Sequence, residues 1–190
     1  MIKRGVESVV DSLRKSELTV NLPIKHGDLS LSLEVTNTIF SFMPFKGKHH
    51  KIASRLKEKF NIDLPGPNLR TFKGEVSIYW VGLDQWFIIN SRDVDLFHLI
   101  SDDAAITDQS DGWIKMSLID TQNKDVLARL CPVQPIVETV VRTKLAGMMS
   151  IIFFTENGAE LFLMRSMIES AVNEIEIAIK SVAAQKDVNE

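Results

Sequence analysis

The sequence predicts an α+β protein, and three observations carry that expectation. The order strand, helix, hairpin, helix can be read twice, once over 39–101 and again over 112–182. Each half contains two β-rich apolar runs joined by a short polar turn, Gly82-Leu83-Asp84-Gln85 in the first and Thr155-Glu156-Asn157-Gly158 in the second. The chain has 190 residues, 45% of them hydrophobic, which is enough to bury a sizeable core. A repeated βαββα order implies two split, ferredoxin-like halves with mostly antiparallel sheets, helices on one face, and sheets that pair or pack together. The halves share negligible sequence identity, so the duplication rests on pattern.

The elements follow in order. Val6, Val9, Val10 and Leu13 recur at i, i+3, i+4 and i+7, which predicts a short amphipathic helix. The stretch 18–28, with Pro23 and Gly27, reads as a surface loop, so 1–28 is a helix and linker ahead of a domain spanning 29–183. Alternation through Leu31, Leu33 and Val35, then Ile39, Phe40 and Phe42, predicts one or two strands ended by Pro44 and Gly47. Ile52, Leu56 and Phe60 mark a helix that Pro65-Gly66-Pro67 blocks from continuing. Val76, Ile78 and Trp80, then Trp86 to Ile89, form the first hairpin. Ser91 is placed to cap a short helix with Leu96, Phe97 and Ile100 facing inward and Asp93 and Asp95 at its positive end, and a strand follows around 105–108.

In the second half, Ile114, Met116 and Leu118 predict a half-buried strand, and Val126, Leu127 and Leu130 a helix that stops at Cys131-Pro132. Strands over 146–154 and 160–164 flank Asn157-Gly158, expected to supply positive-φ residues for the turn. Ser166-Met167-Ile168-Glu169 reads as a capping box opening the longest helix, whose stripe is Ile168, Ala171, Val172, Ile175, Ile179 and Val182. Residues 184–190 are expected to fray.

Composition narrows function by exclusion. Lys plus Arg is 22 and Asp plus Glu 25, a net charge of −3, which argues against a protein that blankets nucleic acid or an anionic membrane. Cys131 is the only cysteine, so no internal disulfide or thiolate zinc cage can form, and a reducing, cytoplasmic setting is expected. Acids at Glu7 and Asp11 interrupt any signal-peptide core, and the most apolar run, 145–154, is roughly half the length of about 20 residues needed to span a bilayer.

No glycine-rich phosphate loop, nucleophile elbow or His-Glu-x-x-His site occurs. His26, His49, His50 and His98 lack ligand spacing and read as exposed, so no metal site is expected. Cys131, at the negative end of a helix, reads as a buried and inert thiol. Asp102 and Asp103 read as turn or cap residues, since nothing apolar encloses them. Trp80, Trp86 and Trp113, and Met148, Met149, Met164 and Met167, read as core or interface before they read as a binding platform. Charge is uneven: Lys46, Lys48, Lys51, Arg55, Lys57 and Lys59 crowd one segment, and Asp93, Asp95, Asp102, Asp103, Asp108 and Asp111 another. That polarity fits either solvated faces or docking on an oppositely charged protein, and the 6–13 helix and the basic segment are expected to contribute to such an interface.

A series of short signatures then becomes informative through its order: Gly82-Leu83-Asp84-Gln85-Trp86, Ser110-Asp111-Gly112-Trp113, 125–132 (DVLARLCP), Val141-Arg142-Thr143-Lys144-Leu145 and Met164-Arg165-Ser166. From about Leu64 to Val182 the chain resembles the gamma subunit of heterotetrameric sarcosine oxidase, departing from the family's pattern at Leu83, where Pro is common, and at Gln134, where an acid is usual. The resemblance implies a small α+β accessory chain, related to the folate-binding domains of the glycine-cleavage T-protein class, with no catalytic, cofactor-binding or metal residues of its own. It further implies that FAD, FMN, NAD and tetrahydrofolate are held by partner alpha and beta subunits, and zinc by a small delta subunit. Arg142 and Arg165 are the positions it brings forward, Arg165 either to pair with an acidic partner or, the favoured reading, to fasten a strand-to-helix junction. The competing readings are a free-standing folate-binding or one-carbon module and a self-assembling structural protein without a ligand; for the chain isolated from its partners a homo-oligomer is left open.

Overall fold

The structure, a computed structural model, describes residues 20–34, 36, 38–90, 96–120 and 125–189. The 6–13 helix and the Ser91, Asp93 and Asp95 cap lie outside these residues. The elements are β1 (Ile24–His26), β2 (Leu29–Glu34), β3 (Thr38–Pro44), α1 (His49–Phe60), β4 (Arg70–Lys73), β5 (Val76–Gly82), β6 (Gln85–Asn90), α2 (Leu96–Ile100), β7 (Ala104–Asp108), β8 (Trp113–Ile119), α3 (Asp125–Leu130), β9 (Val140–Leu145), β10 (Met148–Thr155), β11 (Gly158–Met164), a 3-10 turn (Arg165–Met167) and α4 (Ile168–Asn189).

The α+β class holds, with two sheets and four helices among the described residues. One sheet runs β1-β2-β8-β11-β10-β9 and the other β4-β5-β6-β3-β7, and every pairing is antiparallel. Each half carries one strand more than its sequence pattern shows, giving βαβββα, and the matching strands take the same order, β4-β5-β6-β3 against β9-β10-β11-β8. The extra strands are β4 and β9. β4 is a four-residue edge with Arg70 and Lys73, too short and polar for the alternation rule to register. β9 was hidden because its turn to β10 is Ala146-Gly147, both left-handed (φ 47° and 83°), where Asn-Gly would have been the legible choice.

The strand preceding each half is exchanged. β2 leads into β3 yet pairs with β8 of the second half, while β7 leads into β8 yet pairs with β3 of the first. β1, expected as loop, is the outer arm of the hairpin that β2 brings to the large sheet.

The sheets pack face to face and the helices cover the outer faces, so the strands are buried on both sides. Ile39, Tyr79, Val81, Phe87 and Ile89 meet Val140, Ile151, Phe153 and Phe162 between the sheets. On the outer faces, alternate residues of the same strands pack under α1 and α2 (Phe42, Ile78, Trp86, Ile88 with Ile52, Leu56, Leu96, Ile100) or under α3 and α4 (Met116, Leu118, Ile152, Leu161 with Leu127, Ala171, Ile175, Ile179). Burial on two faces is why β6 and β10 read as continuous apolar runs, while β8 keeps the alternation expected of it, with Ile114, Met116 and Leu118 buried and the residues between them partly exposed.

Gly158 has a positive φ of 144°, whereas Asn157 does not, and the need for glycine is a close approach: a Cβ there would lie 2.0 Å from the Leu118 carbonyl oxygen of β8. The chain enters α4 through the 3-10 turn that contains Ser166, so Ser166 is not the N-cap, and the turn's own cap residue, Met164, makes no side-chain cap bond. α4 continues to Asn189 where fraying was expected. Ala183, Ala184 and Gln185 favour helix, and Arg129 of α3 donates to the Gln185 side chain. No helix among the described residues is long and apolar enough to cross a membrane.

Candidate functional site

The exchange of β2 and β7 brings two crossovers to one seam, and a cleft of about 190 Å³ opens there, lined by Leu33, Glu34, Thr36, Ser110, Trp113, Ile114, Lys115 and Arg165. Two of the signatures noted in the sequence meet at it. Met164 pairs with Trp113 as the last step of the β8–β11 ladder, the Arg165 backbone N–H donates to the Gly112 carbonyl (2.9 Å), and Arg165 Nε donates to the Asp111 carbonyl (2.9 Å). Arg165 does fasten the strand-to-helix junction, and it also forms part of the cleft. Ser110 fixes the loop: its Oγ donates to Asp108 Oδ1 (2.6 Å) and accepts the Ile39 N–H (3.0 Å).

Lys115 extends the cleft inward. Its Nζ lies 2.7 Å from Glu34 at the rim and 3.2 Å from Glu160 between the sheets. Glu160 in turn accepts from Arg70 (2.8 Å) and from the Tyr79 hydroxyl (2.5 Å), so residues of both halves converge on one carboxylate. Burial pushes the Glu160 carboxyl up, but the Lys115 charge, the Tyr79 hydrogen bond and Arg70 together hold it below the usual range. Tyr79 is pushed well above its ordinary value by burial and then by the Glu160 charge, and the Arg70 guanidinium is raised by Tyr79 and Glu160 against the opposing effect of its burial. Arg70 also lies over the Phe153 ring, 4.3 Å from its centroid. This network escaped sequence reading because its members stand far apart in the chain; the one available signal was a lone acid, Glu160, inside an apolar strand.

The other singled-out residues are dispersed. Arg142 is exposed on β9 and reaches Gln85 Oε1 (3.4 Å), which brings two more signatures together away from the cleft. Asp102 is exposed, but Asp103 is 1% exposed, which corrects its reading as an unenclosed turn residue. Lys51 lies 2.9 Å from its Oδ2 and 3.1 Å from its Oδ1, Arg55 2.9 Å from Oδ2 and Lys48 3.2 Å from Oδ1, while Lys57 pairs with Asp63. Four of the six basic residues of the segment thus pair with acids of the same chain. The hydrogen bond from Lys51 leads in holding Asp103 below the ordinary carboxylate range.

His49 pairs with Asp84 (3.1 Å) and sits edge-on to Trp86, while His50 and His98 are exposed and His26 is half-buried. Among the described residues no three His, Cys, Asp or Glu gather as a metal site would need. Cys131 is buried. Trp86 stacks on Phe42 and donates to the Pro65 carbonyl (2.8 Å), Trp80 packs beside it, and Trp113 lies edge-on to Phe87. Met148 packs on the core, but Met149 and Met167 are exposed, since one lies beside edge strand β9 and the other on the 3-10 turn.

No protein-family model matches the sequence, and no curated protein matches it. Among solved structures, a chain of the heterotetrameric sarcosine oxidase from Corynebacterium sp. U-96, in complex with pyrrole 2-carboxylate, aligns with a TM-score of 0.72 at 16% identity. The two chains share a fold. The alignment covers 85% of this chain and 89% of that one, so the likeness extends over both sheets rather than over one half.

Proposed function

We propose that this chain is an accessory, non-catalytic subunit of a heterotetrameric sarcosine oxidase, in the place of its gamma subunit. The single observation that carries the reading is the nearly end-to-end fold match to a chain of such an enzyme. The signatures that suggested the family also meet in space, at the Arg165–Gly112 and Arg142–Gln85 contacts. In this reading the assembled enzyme oxidises the N-methyl group of sarcosine to an imine, giving glycine and a one-carbon unit taken up by tetrahydrofolate. FAD, FMN, NAD and the folate are then held by the alpha and beta partners, and this chain contributes surface.

An accessory subunit needs an apolar face for its partners. Leu69 and Phe72 at β4, and Ile136 and Val137 ahead of β9, are all exposed, and the hydrogen bond from Val140 N–H to the Asn68 carbonyl (2.8 Å) sets these two segments side by side. Co-expression with the larger oxidase chains tests the reading. A stoichiometric complex is expected, lost in the Phe72→Asp and Ile136→Asp variants while the chain stays folded. The reading fails if the wild-type chain remains free of its partners, or if the purified chain alone carries a stoichiometric flavin spectrum.

A further inference from the structure

We propose that the open edge of β9 is a docking site for an extended acidic segment of another protein, which adds to the larger sheet as a further strand. Among the described residues β9 is the longest of the edge strands, six residues against three in β1, four in β4 and five in β7. Its turn to β10 has only Ala146 and Gly147 in it, so Leu145 and Met148 close the ladder as a hydrogen-bonded pair, and the odd-numbered residues of β9 commit their backbone groups to β10. The Phe154 N–H keeps that parity by donating to the Thr139 carbonyl (3.0 Å), and the Val140 N–H points the other way, to the Asn68 carbonyl (2.8 Å). The backbone N–H and C=O of Arg142 and Lys144 therefore face outward, and no described residue takes them.

The side chains on this edge decide what can pair with it. Arg142 and Lys144 are both exposed and stand on one face of the strand; Arg142 bonds to the neutral Gln85, and neither cation meets a carboxylate among the described residues. In an antiparallel pair, directly opposite residues either exchange both hydrogen bonds or exchange none, so a strand that takes the outward groups sets its own outward residues against Arg142 and Lys144. For a second copy of β9 those residues are again Arg142 and Lys144. Each antiparallel register of this kind, centred on residue 142, 143 or 144, puts cation opposite cation, which repels. A strand with Asp or Glu at alternate positions reverses the sign, and its intervening residues lie alongside Val141, Thr143 and Leu145, where β-branched side chains fit. The two cations that keep copies of the chain apart are the ones that admit an acidic partner.

The test titrates the isotopically labelled full chain with an end-blocked peptide, Thr-Glu-Val-Glu-Thr, and follows backbone amide shifts and hydrogen exchange. Saturable shifts are expected, with exchange slowed at the Arg142 and Lys144 N–H groups and unchanged at Val141 and Thr143, which already donate to β10. N-methylation of the two glutamates removes the donors that face β9 and should abolish binding; N-methylation of the valine, whose N–H points away, should leave it intact. The peptide Thr-Lys-Val-Lys-Thr should bind about tenfold more weakly or not at all, and the double variant Arg142→Glu, Lys144→Glu should exchange the two preferences. The buried Trp86 indole signal reports the fold of that variant; should it not fold, the methylated peptides decide on the wild-type chain. The proposal is overturned if the acidic peptide gives no saturable shift, if the shifts come without slowed exchange at Arg142 and Lys144, if sodium phosphate reproduces them, or if both methylated peptides bind alike. It is also overturned if concentrating the chain alone protects the same two amides, which makes the occupant a second copy. These readouts are on the chain alone and do not depend on its assembly into an oxidase.

Discussion

Asp103, which is buried, and Glu160, whose side chain is 17% exposed, are carboxylates met by several cations, and the two arrangements hold different things together. Asp103 draws Lys48, Lys51 and Arg55 of α1 and the residue before it onto the corner between α2 and β7, all within one half. Glu160 draws Arg70 and Tyr79 from the first half and Lys115 from the second, across the layer between the sheets. Their surroundings differ as well: the side chains on Asp103 are 31% to 51% exposed, those of Arg70 and Lys115 only 16% and 12%. The same chemistry therefore acts as a solvent-screened local clasp in one place and as an unscreened joint between halves in the other.

The largest expected effect separates the two directly. Glu160→Ala leaves Arg70 without its carboxylate and Lys115 with Glu34 alone in the layer between the sheets, and is expected to cost about 3–5 kcal/mol in denaturant unfolding, whereas Lys51→Ala at the clasp should cost about 0–1 kcal/mol. Equal losses would dissolve the distinction. Next, Tyr79→Phe removes a hydrogen bond to a charged acceptor and should cost about 1.5–3 kcal/mol. Because Tyr79 is the only tyrosine in the chain, its phenolate absorbance gives an unmixed titration. With its folded pKa raised, the stability Tyr79 contributes is present below the unfolded value near about 10 and is lost as pH rises through the folded one. The folded protein should therefore show no phenolate band until well above that range, and a band appearing near pH 10 without unfolding would show the joint to be open to water.

Acid acts in the opposite sense. The Glu160 carboxyl is depressed in the folded state, so its contribution is present above the ordinary glutamate value of about 4.3 and is lost as pH falls through the folded value. Glu160→Gln should flatten the acid limb of the stability curve relative to wild type, measured by thermal melts from neutral pH downward. The smallest effect is ionic: about 1 M salt, where the screening length is about 3 Å, should narrow the gap between Lys51→Ala and wild type while leaving the Glu160→Ala gap nearly unchanged.

Sequence pattern resolved what depends on near neighbours. The stripes of α1 and α4, the hairpin around Leu83-Asp84 and the twofold order were all legible, because periodicity and turn chemistry are local. What escaped was set at a distance or by an edge. β4 and β9 are short boundary strands whose partners, and not their own composition, make them strands. Asp103 was legible as a turn residue but not as a buried one, since the side chains that enclose it come from α1, about fifty residues earlier in the chain. Of the cleft, Arg165 and Trp113 could be singled out from motif order, while Glu34 and Lys115 look like ordinary charges on alternating strands until β2 is seen to cross over to β8.

That crossover also governs how the polypeptide can be made. The strands from β3 to β7 complete the smaller sheet using residues 38–108 alone, so this layer can form as it leaves the ribosome. The β1–β2 hairpin emerges earlier, yet its pairing surface is β8, with Leu31 opposite Leu118. At about 5–20 residues per second, the 87 residues added after Leu31, up to and including Leu118, take roughly 4–17 s to synthesise. During nascent-chain growth, the first-made hairpin is the one that waits, and premature cleavage or stalling before β8 leaves a finished sheet carrying an unclaimed apolar ribbon.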